Sequence, residues 1–287
     1  MDGVVDLPAL PPMRAAFTGA LVPRHRRGTP ALPPYAVRVR DVATDPARLS
    51  AYATVCGYAT TGTPTALPAT WIHVLTFPLH VHLLSARESS VRLVGAVHVC
   101  NTMTMHAVVP ATERLTVTVH ATNLRPHHRG SMLDLVGEAS AAGQTVWSGV
   151  STYLAAGVTV PGEAPRRERL AAPDAPVTAW WDLPAGLGRR YRDVSGDPNP
   201  IHTSRIAARM FGLRRPIIHG MWTHARALAQ WGDEVPELYT ATVDFLRPIG
   251  LPSRVGFAAT REDGVLRAAV MDSHGERAHC ALAVTSP

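Results

Sequence analysis

The chain has 287 residues, 46% of them hydrophobic and 17% charged, with a formal net charge of +6 and a pI near 9.8. That length suits two domains of roughly 130 to 150 residues better than one, and the composition excludes a largely disordered chain. No apolar run reaches the roughly 18 residues that a membrane span requires.

Residues 1–34 are rich in Pro and Arg and are expected to form a loosely ordered N-terminal arm. Asp2 and Asp6 stand where a secretory signal would have a basic start and an apolar run, so a signal is not expected. A strand is predicted near Tyr35–Arg40, then a helix over about Asp45–Cys56 and a Gly/Thr/Pro-rich loop over Gly57–Pro68. An apolar helix of about 15 residues follows within Ala69–Ser85, interrupted by Pro78. Alternating apolar and polar residues over about Arg92–Leu154, as in Leu115-Thr-Val-Thr-Val-His, predict a run of strands. Four prolines and a charge cluster in residues 161–176 read as a linker.

Beyond the linker the order repeats, with a strand at Val177–Leu183, helices, and strands from about Tyr239 to Val284. A Gly-centred hairpin lies near the end of each half, at Gly143 and at Gly275. The chain therefore reads as one helix-plus-sheet unit used twice, over 35–160 and 177–287. An α+β layer in which a curved antiparallel sheet wraps one central helix fits each half, with the two sheets pairing into a continuous surface.

The stretch Tyr191-Arg-Asp-Val-Ser195-Gly196-Asp197-Pro198-Asn199-Pro200-Ile201-His202 carries the chemistry. Gly196 allows a tight turn, Asn199 suits a helix N-cap and Pro200 suits the first helical position. His202 then falls in the first turn of a helix towards Met210, with Asp197 on the loop just ahead. An acid and an imidazole aimed at one spot can shuttle protons on a small substrate. Gly-Asp-Pro-Asn-Pro is equally a plain turn sequence, and a His one turn on is equally a core residue.

Other candidates are weaker. The first half has no acid–imidazole pair at the corresponding place. Cys56, Cys100 and Cys280 are odd in number and widely spaced, which indicates neither a disulfide framework nor a zinc site and fits a reducing cytoplasm. His80-x-His82 and His127-His128 lack enough nearby ligands for a metal. All 28 basic residues are arginine, scattered in groups such as Arg24–Arg27, Arg166–Arg169 and Arg189-Arg190 without interleaved aromatics, which argues against nucleic acid. The same positive field suits a phosphate-bearing small carrier or an acidic carrier protein. No Gly-x-Ser-x-Gly elbow, Rossmann fingerprint or P-loop is present.

Ser195-Gly-Asp197-x-Asn199-Pro-Ile-His202, followed by Pro216-Ile-Ile-His219-Gly220-Met221, resembles the signature of the MaoC-like (R)-specific enoyl hydratases and 3-hydroxyacyl-thioester dehydratases. The first-half segment Leu67-Pro-Ala-Thr-Trp-Ile-His-Val-Leu-Thr-Phe-Pro-Leu-His80 is similar to the subgroup with two hotdog units, the first of them degenerate. The resemblance implies a double hotdog that reversibly dehydrates (R)-3-hydroxyacyl thioesters to trans-2-enoyl thioesters, on coenzyme A or acyl carrier protein, without a cofactor. It implies Asp197 and His202 as the catalytic pair and the Gly220 N–H as oxyanion donor. Asn199, Ser195, His219, Met221, Arg214 and Arg215 are the expected substrate-binding residues, the arginines for carrier phosphates. Asn199 is equally a mere cap, and the arginines equally a solvated rim. Medium or long acyl chains, fatty acid synthase components as partners, and either a monomer or a homodimer go with this expectation. The alternatives are a non-catalytic acyl-thioester-binding subunit and a thioesterase on the same fold.

Overall fold

Ala69–Ser85 contains no Asp, Glu or Arg, and a helix without a polar face has to be buried. The computed structural model describes residues 3–13, 29–58, 62–92 and 95–286. Fourteen of the seventeen residues Ala69–Ser85 are buried, in one helix that continues through Pro78, so the predicted interruption does not occur. The middle of the predicted arm, residues 14–28 with the Arg24–Arg27 group, lies outside the described residues, as do 59–61 in the Gly57–Pro68 loop.

The chain forms two compact units. The first comprises Met1–Thr44 and Leu67–Glu168. Its strands are β1 (Val4–Leu7), β2 (Ala36–Val42), β3 (Ala96–Met105), β4 (Leu115–His127), β5 (Gly130–Ala141) and β6 (Gln144–Ala155), in the order β1-β2-β4-β5-β6-β3. β1 pairs parallel with β2, and Arg38 donates two hydrogen bonds to Asp6 at 2.6 and 2.8 Å. The start of the arm is thus an ordered edge strand rather than a loose segment, because that ion pair and the backbone ladder hold it. The remaining pairs are antiparallel.

β4 alternates buried and half-exposed residues over Leu115–His120, as its pattern predicts. Val117, Val119, Leu133 and Trp147 turn inward with the helical Trp71, Ile72 and Leu79 to make the core. At the β5–β6 hairpin Ala142 and Gly143 both have positive φ, 48° and 81°, the conformation that matches strand twist.

The second unit comprises Asp45–Ala66 and Arg169–Pro287. The division falls within residues 161–176. Its strands are β7 (Val177–Leu183), β8 (Tyr239–Phe245), β9 (Ser253–Glu262), β10 (Val265–Met271) and β11 (Ala278–Thr285). They form an antiparallel order β8-β11-β10-β9-β7. Its helices are α1 (Pro46–Cys56), α3 (Leu187–Ser195), α4 (Arg205–Met210) and α5 (Gly220–Trp231), with α2 being the Ala69–Ser85 helix of the first unit. Asp263 and Gly264 make a tight β9–β10 hairpin with φ of 50° and 77°.

The first-half assignment of α1 needs correcting. Its boundaries follow local rules: Asp45 accepts from the Ala47 and Arg48 N–H groups, Pro46 opens the helix, and Gly57 closes it at φ 79°. Its allegiance does not. Leu49, Tyr52, Ala53 and Cys56 are buried, the Tyr52 ring lies 6.1 Å from Tyr191, and Trp222 Nε1 donates to the Val55 carbonyl at 2.9 Å.

Inside the first unit, His73 and His80 are almost fully buried, their rings 5.4 Å apart, and each keeps a buried Nδ1 without a hydrogen-bond partner among the described residues. Burial holds His73 down at about 4 and His80 well below the usual imidazole range. The unfolded chain therefore binds protons that the folded chain refuses. Stability falls as pH drops below about 6.5, and His73's share of the loss levels off below its folded value of about 4; His73 alone contributes about 2 kcal/mol of it at pH 5. Thermal midpoints from pH 7.5 to 5 should decline steeply for the wild type and less steeply for His73→Leu; equal slopes would refute the assignment.

Candidate active site

Three side chains in series build the loop after α3. Gly196 ends the helix at φ 80°, its N–H donating to the Arg192 carbonyl at 2.7 Å, a conformation open to glycine. Ser195 Oγ accepts from the Asp197 N–H at 3.3 Å, Asp197 Oδ1 from the Asn199 N–H at 3.0 Å, and Asn199 Oδ1 from the Ile201 N–H at 3.3 Å. Each side chain thus holds the amide two residues on. Pro200–His202 is a single 3₁₀ turn, not the first turn of a helix to Met210. The chain breaks at Thr203, and α4 starts afresh with Ser204 as its own N-cap, Oγ accepting from the Ala207 N–H. Asn199 is the cap predicted, but of the shorter element. The turn sits tightly against α3: a Cβ on Gly188 would lie 2.2 Å from the His202 carbonyl oxygen.

His202 Nδ1 lies 2.8 Å from the Ile217 carbonyl oxygen. A carbonyl only accepts, so Nδ1 carries the proton and Nε2 keeps a lone pair. His219 stacks on His202 with ring centroids 3.6 Å apart and an interplanar angle of 25°, and Tyr191 lies 4.9 Å beyond it. His219 Nε2 is 3.8 Å from Asp197 Oδ2, and one polar atom from each of Asp197, His202 and His219 lies within 4.8 Å of the others. His202 and His219 are buried, whereas the Asp197 side chain stays 20% exposed, so the carboxylate is the approachable member.

Burial dominates the electrostatics. It raises the Asp197 carboxyl above its usual range, against the pull of His202 and the Asn199 N–H. It lowers His202, against Asp197 and the Ile217 carbonyl, and lowers His219 further, with His202 and Arg192 adding to the effect. Each group is pushed towards its neutral form, which suits a site that moves protons between a weak acid and a weak base.

These three residues are also the metal-capable cluster among the described residues. Ring planes inclined by only 25° at 3.6 Å separation meet far outside the about 2.0–2.1 Å of a metal–imidazole bond, so the two histidines do not converge on one ion.

The other expected binding residues divide. Ser195 is 4% exposed and serves the loop. Gly220 and Met221 open α5, and no acceptor among the described residues takes their N–H groups. Glycine at 220 is required by packing, since a Cβ there would lie 2.9 Å from the Phe245 ring. Arg214 and Arg215 do not join the acid–imidazole pair. They line a separate cleft of about 440 Å³ with Ile217, Arg254, Asp272 and His279, and Arg215 folds across Gly250 to donate to the Pro252 carbonyl.

One residue that the sequence does not flag is prominent here. Arg48 of α1 donates from Nε to the Val194 carbonyl at 2.7 Å and from its terminal NH₂ to the Ser195 carbonyl at 3.0 Å. It thereby takes two carbonyls left open at the end of α3, immediately before Asp197. No sequence signal marks it, because its partners are backbone atoms 146 and 147 residues away.

A model of the MaoC-like domain matches residues 162–278. The 3-hydroxyacyl-thioester dehydratase X of Mycobacterium tuberculosis is 36% identical over 258 residues, 88% of each chain. The chain belongs to the MaoC-like dehydratases. The crystal structure of HtdX from the same organism superposes with a TM-score of 0.78 at 30% identity, over 88% of this chain and 100% of that one. A MaoC-like dehydratase from Phytophthora capsici shares the fold, with a TM-score of 0.70 at 13% identity over 90% and 96% of the two chains. The double hotdog expected from the sequence is thus the fold of this MaoC-like chain.

In this MaoC-like dehydratase, replacing Arg48 leaves two carbonyls without donors. Arg48→Met should lower stability by about 2 kcal/mol, the scale of two charge-assisted bonds net of solvation, and Arg48→Lys should recover less than half. Chemical denaturation measures it, and a Met variant as stable as the wild type would refute the role.

Proposed function

We propose that the chain reversibly removes water from (R)-3-hydroxyacyl thioesters to give trans-2-enoyl thioesters in fatty acid metabolism, with coenzyme A or acyl carrier protein as the thioester carrier. The observation that carries this is the Asp197 carboxylate and the His202 ring within 4.8 Å of each other, with Nδ1 of the imidazole engaged by Ile217. The family and the related dehydratase support the same reading.

The chemistry sets two demands. The C2 proton of a thioester is weakly acidic, and hydroxide is a poor leaving group. One member of the pair takes the C2 proton while the other delivers a proton to the departing 3-hydroxyl, and water leaves from the same face. Asp197 and His202 titrate as a coupled unit, so the two assignments belong to the pair. The Gly220 N–H at the start of α5 receives the thioester oxygen as negative charge builds on it. His219, stacked on His202, keeps that ring in place, and Asn199 holds the loop or the leaving water. No cofactor takes part in the scheme. The reading includes medium or long acyl chains, either a single chain or a homodimer, fatty acid synthase components as partners, and a cytoplasmic setting. Three buried free cysteines are consistent with the last, and no helix among the described residues is long and apolar enough to cross a membrane.

Asp197→Asn and His202→Ala should each lower hydration of crotonyl and dodecenoyl thioesters by at least about 100-fold, the lower end of general acid–base contributions. The ultraviolet band of the enoyl thioester reports the reaction. Full activity in both variants would sink the mechanism, and release of free thiol in place of hydration would indicate a thioesterase.

A further inference from the structure

The short helix α4 directly follows the turn that holds His202, and its outer face is unusual. Ile206 is 76% exposed and Met210 81%, and Phe211 at the helix end is 45% exposed. Single exposed apolar residues are ordinary, but three within six consecutive residues form a patch. The exposure does not come from a frayed segment. Ser204 caps the start of α4, Ala208 on its underside is 0% exposed, and the end is closed by bonds from the Phe211, Gly212 and Leu213 N–H groups to carbonyls of residues 207–209.

Beside the apolar row runs a cationic one. Ile206 and Met210 are four residues apart, as are Arg205 and Arg209, so each pair stacks along one side of the helix. Both arginines are exposed, and neither has an ion-pair partner among the described residues. No Asp or Glu occurs between Asp197 and Asp233, so this stretch offers positive charge and apolar surface with nothing acidic in it.

We propose that α4 is a docking surface for an acidic carrier-protein domain that presents the acyl thioester. The inference rests on the dehydratase reading and adds which carrier the chain is shaped to receive. Charge complementarity selects the partner: a negatively charged helical surface pairs with Arg205 and Arg209, while Ile206, Met210 and Phe211 bury against its apolar residues. The position suits delivery, because only Thr203 and Ser204 separate the patch from His202. Coenzyme A offers phosphates to the arginines but no broad apolar face of a folded domain to cover the three side chains of the other row.

The test compares one acyl group on two carriers. For crotonyl-loaded acyl carrier protein, the Arg205→Glu/Arg209→Glu and Ile206→Ser/Met210→Ser double variants should each lose at least about tenfold in kcat/KM, chiefly through KM, while rates on crotonyl-coenzyme A stay within about twofold. The wild-type rate on the protein-borne substrate should fall with rising salt, and the charge-reversed variant should lose that dependence. Equal losses on both carriers, or no loss on either, would overturn the docking surface. Titration with holo-acyl carrier protein lacking an acyl group reads docking apart from chemistry. Binding that the variants abolish supports the surface even if neither thioester turns over, an outcome that would remove only the dehydratase reading. Wild-type protein that fails to bind the carrier, but is captured by anionic vesicles or forms a dimer that Met210→Ser dissolves, would assign the patch to another occupant.

Discussion

One polar atom from each of a carboxyl group and two imidazoles lies within 4.8 Å of the others, with both imidazoles buried, and much of the second unit is arranged to tolerate that. Isolated charges in such a place are costly, so each group drifts towards neutrality. What keeps the trio useful is orientation. The bond from His202 Nδ1 to the Ile217 carbonyl selects one tautomer, and His219, stacked on His202 and itself against Tyr191, packs one face of the ring. The three side-chain-to-amide bonds from Ser195, Asp197 and Asn199 fix the loop that carries the carboxylate. Rigid placement of weak acids and bases is a more economical route to proton transfer than strong ones in water.

Much of this is legible in the residues themselves. Turn formers at Ser195, Gly196, Asp197 and Asn199 encode the loop because each acts on its own backbone, and such effects reach only two or three residues. The hairpins and the caps of α1 are readable for the same reason. Legibility ends where a partner is distant. That α1 belongs to the second unit depends on Tyr191, Trp222 and the end of α3, more than 130 residues away. The break at Thr203 reflects a competition between two caps, Asn199 and Ser204, that composition alone does not decide. Gly220 shows a different limit: the sequence marks the glycine but not its reason, which is the ring of Phe245. Arg214 and Arg215 are adjacent to the motif in sequence yet face another cleft.

The first unit reuses the same plan to a different end. Its central helix carries no Asp, Glu or Arg, and imidazoles of this unit are packed among rings, as where His98 lies 4.6 Å from Tyr153. One architecture thus places histidines beside a carboxylate in one unit and as core filling in the other, and the difference is whether an acid has a turn from which to reach them.

The attachment of α1 has a consequence for how this protein can be divided. A gene fragment trimmed to the matched residues 162–278 would contain Asp197, His202, His219 and Gly220. It would still leave behind the guanidinium that closes the helix ahead of the acid, and it would bare Tyr191 and Trp222 to solvent. The second unit is therefore discontinuous along the chain, built from Asp45–Ala66 as well as Arg169–Pro287.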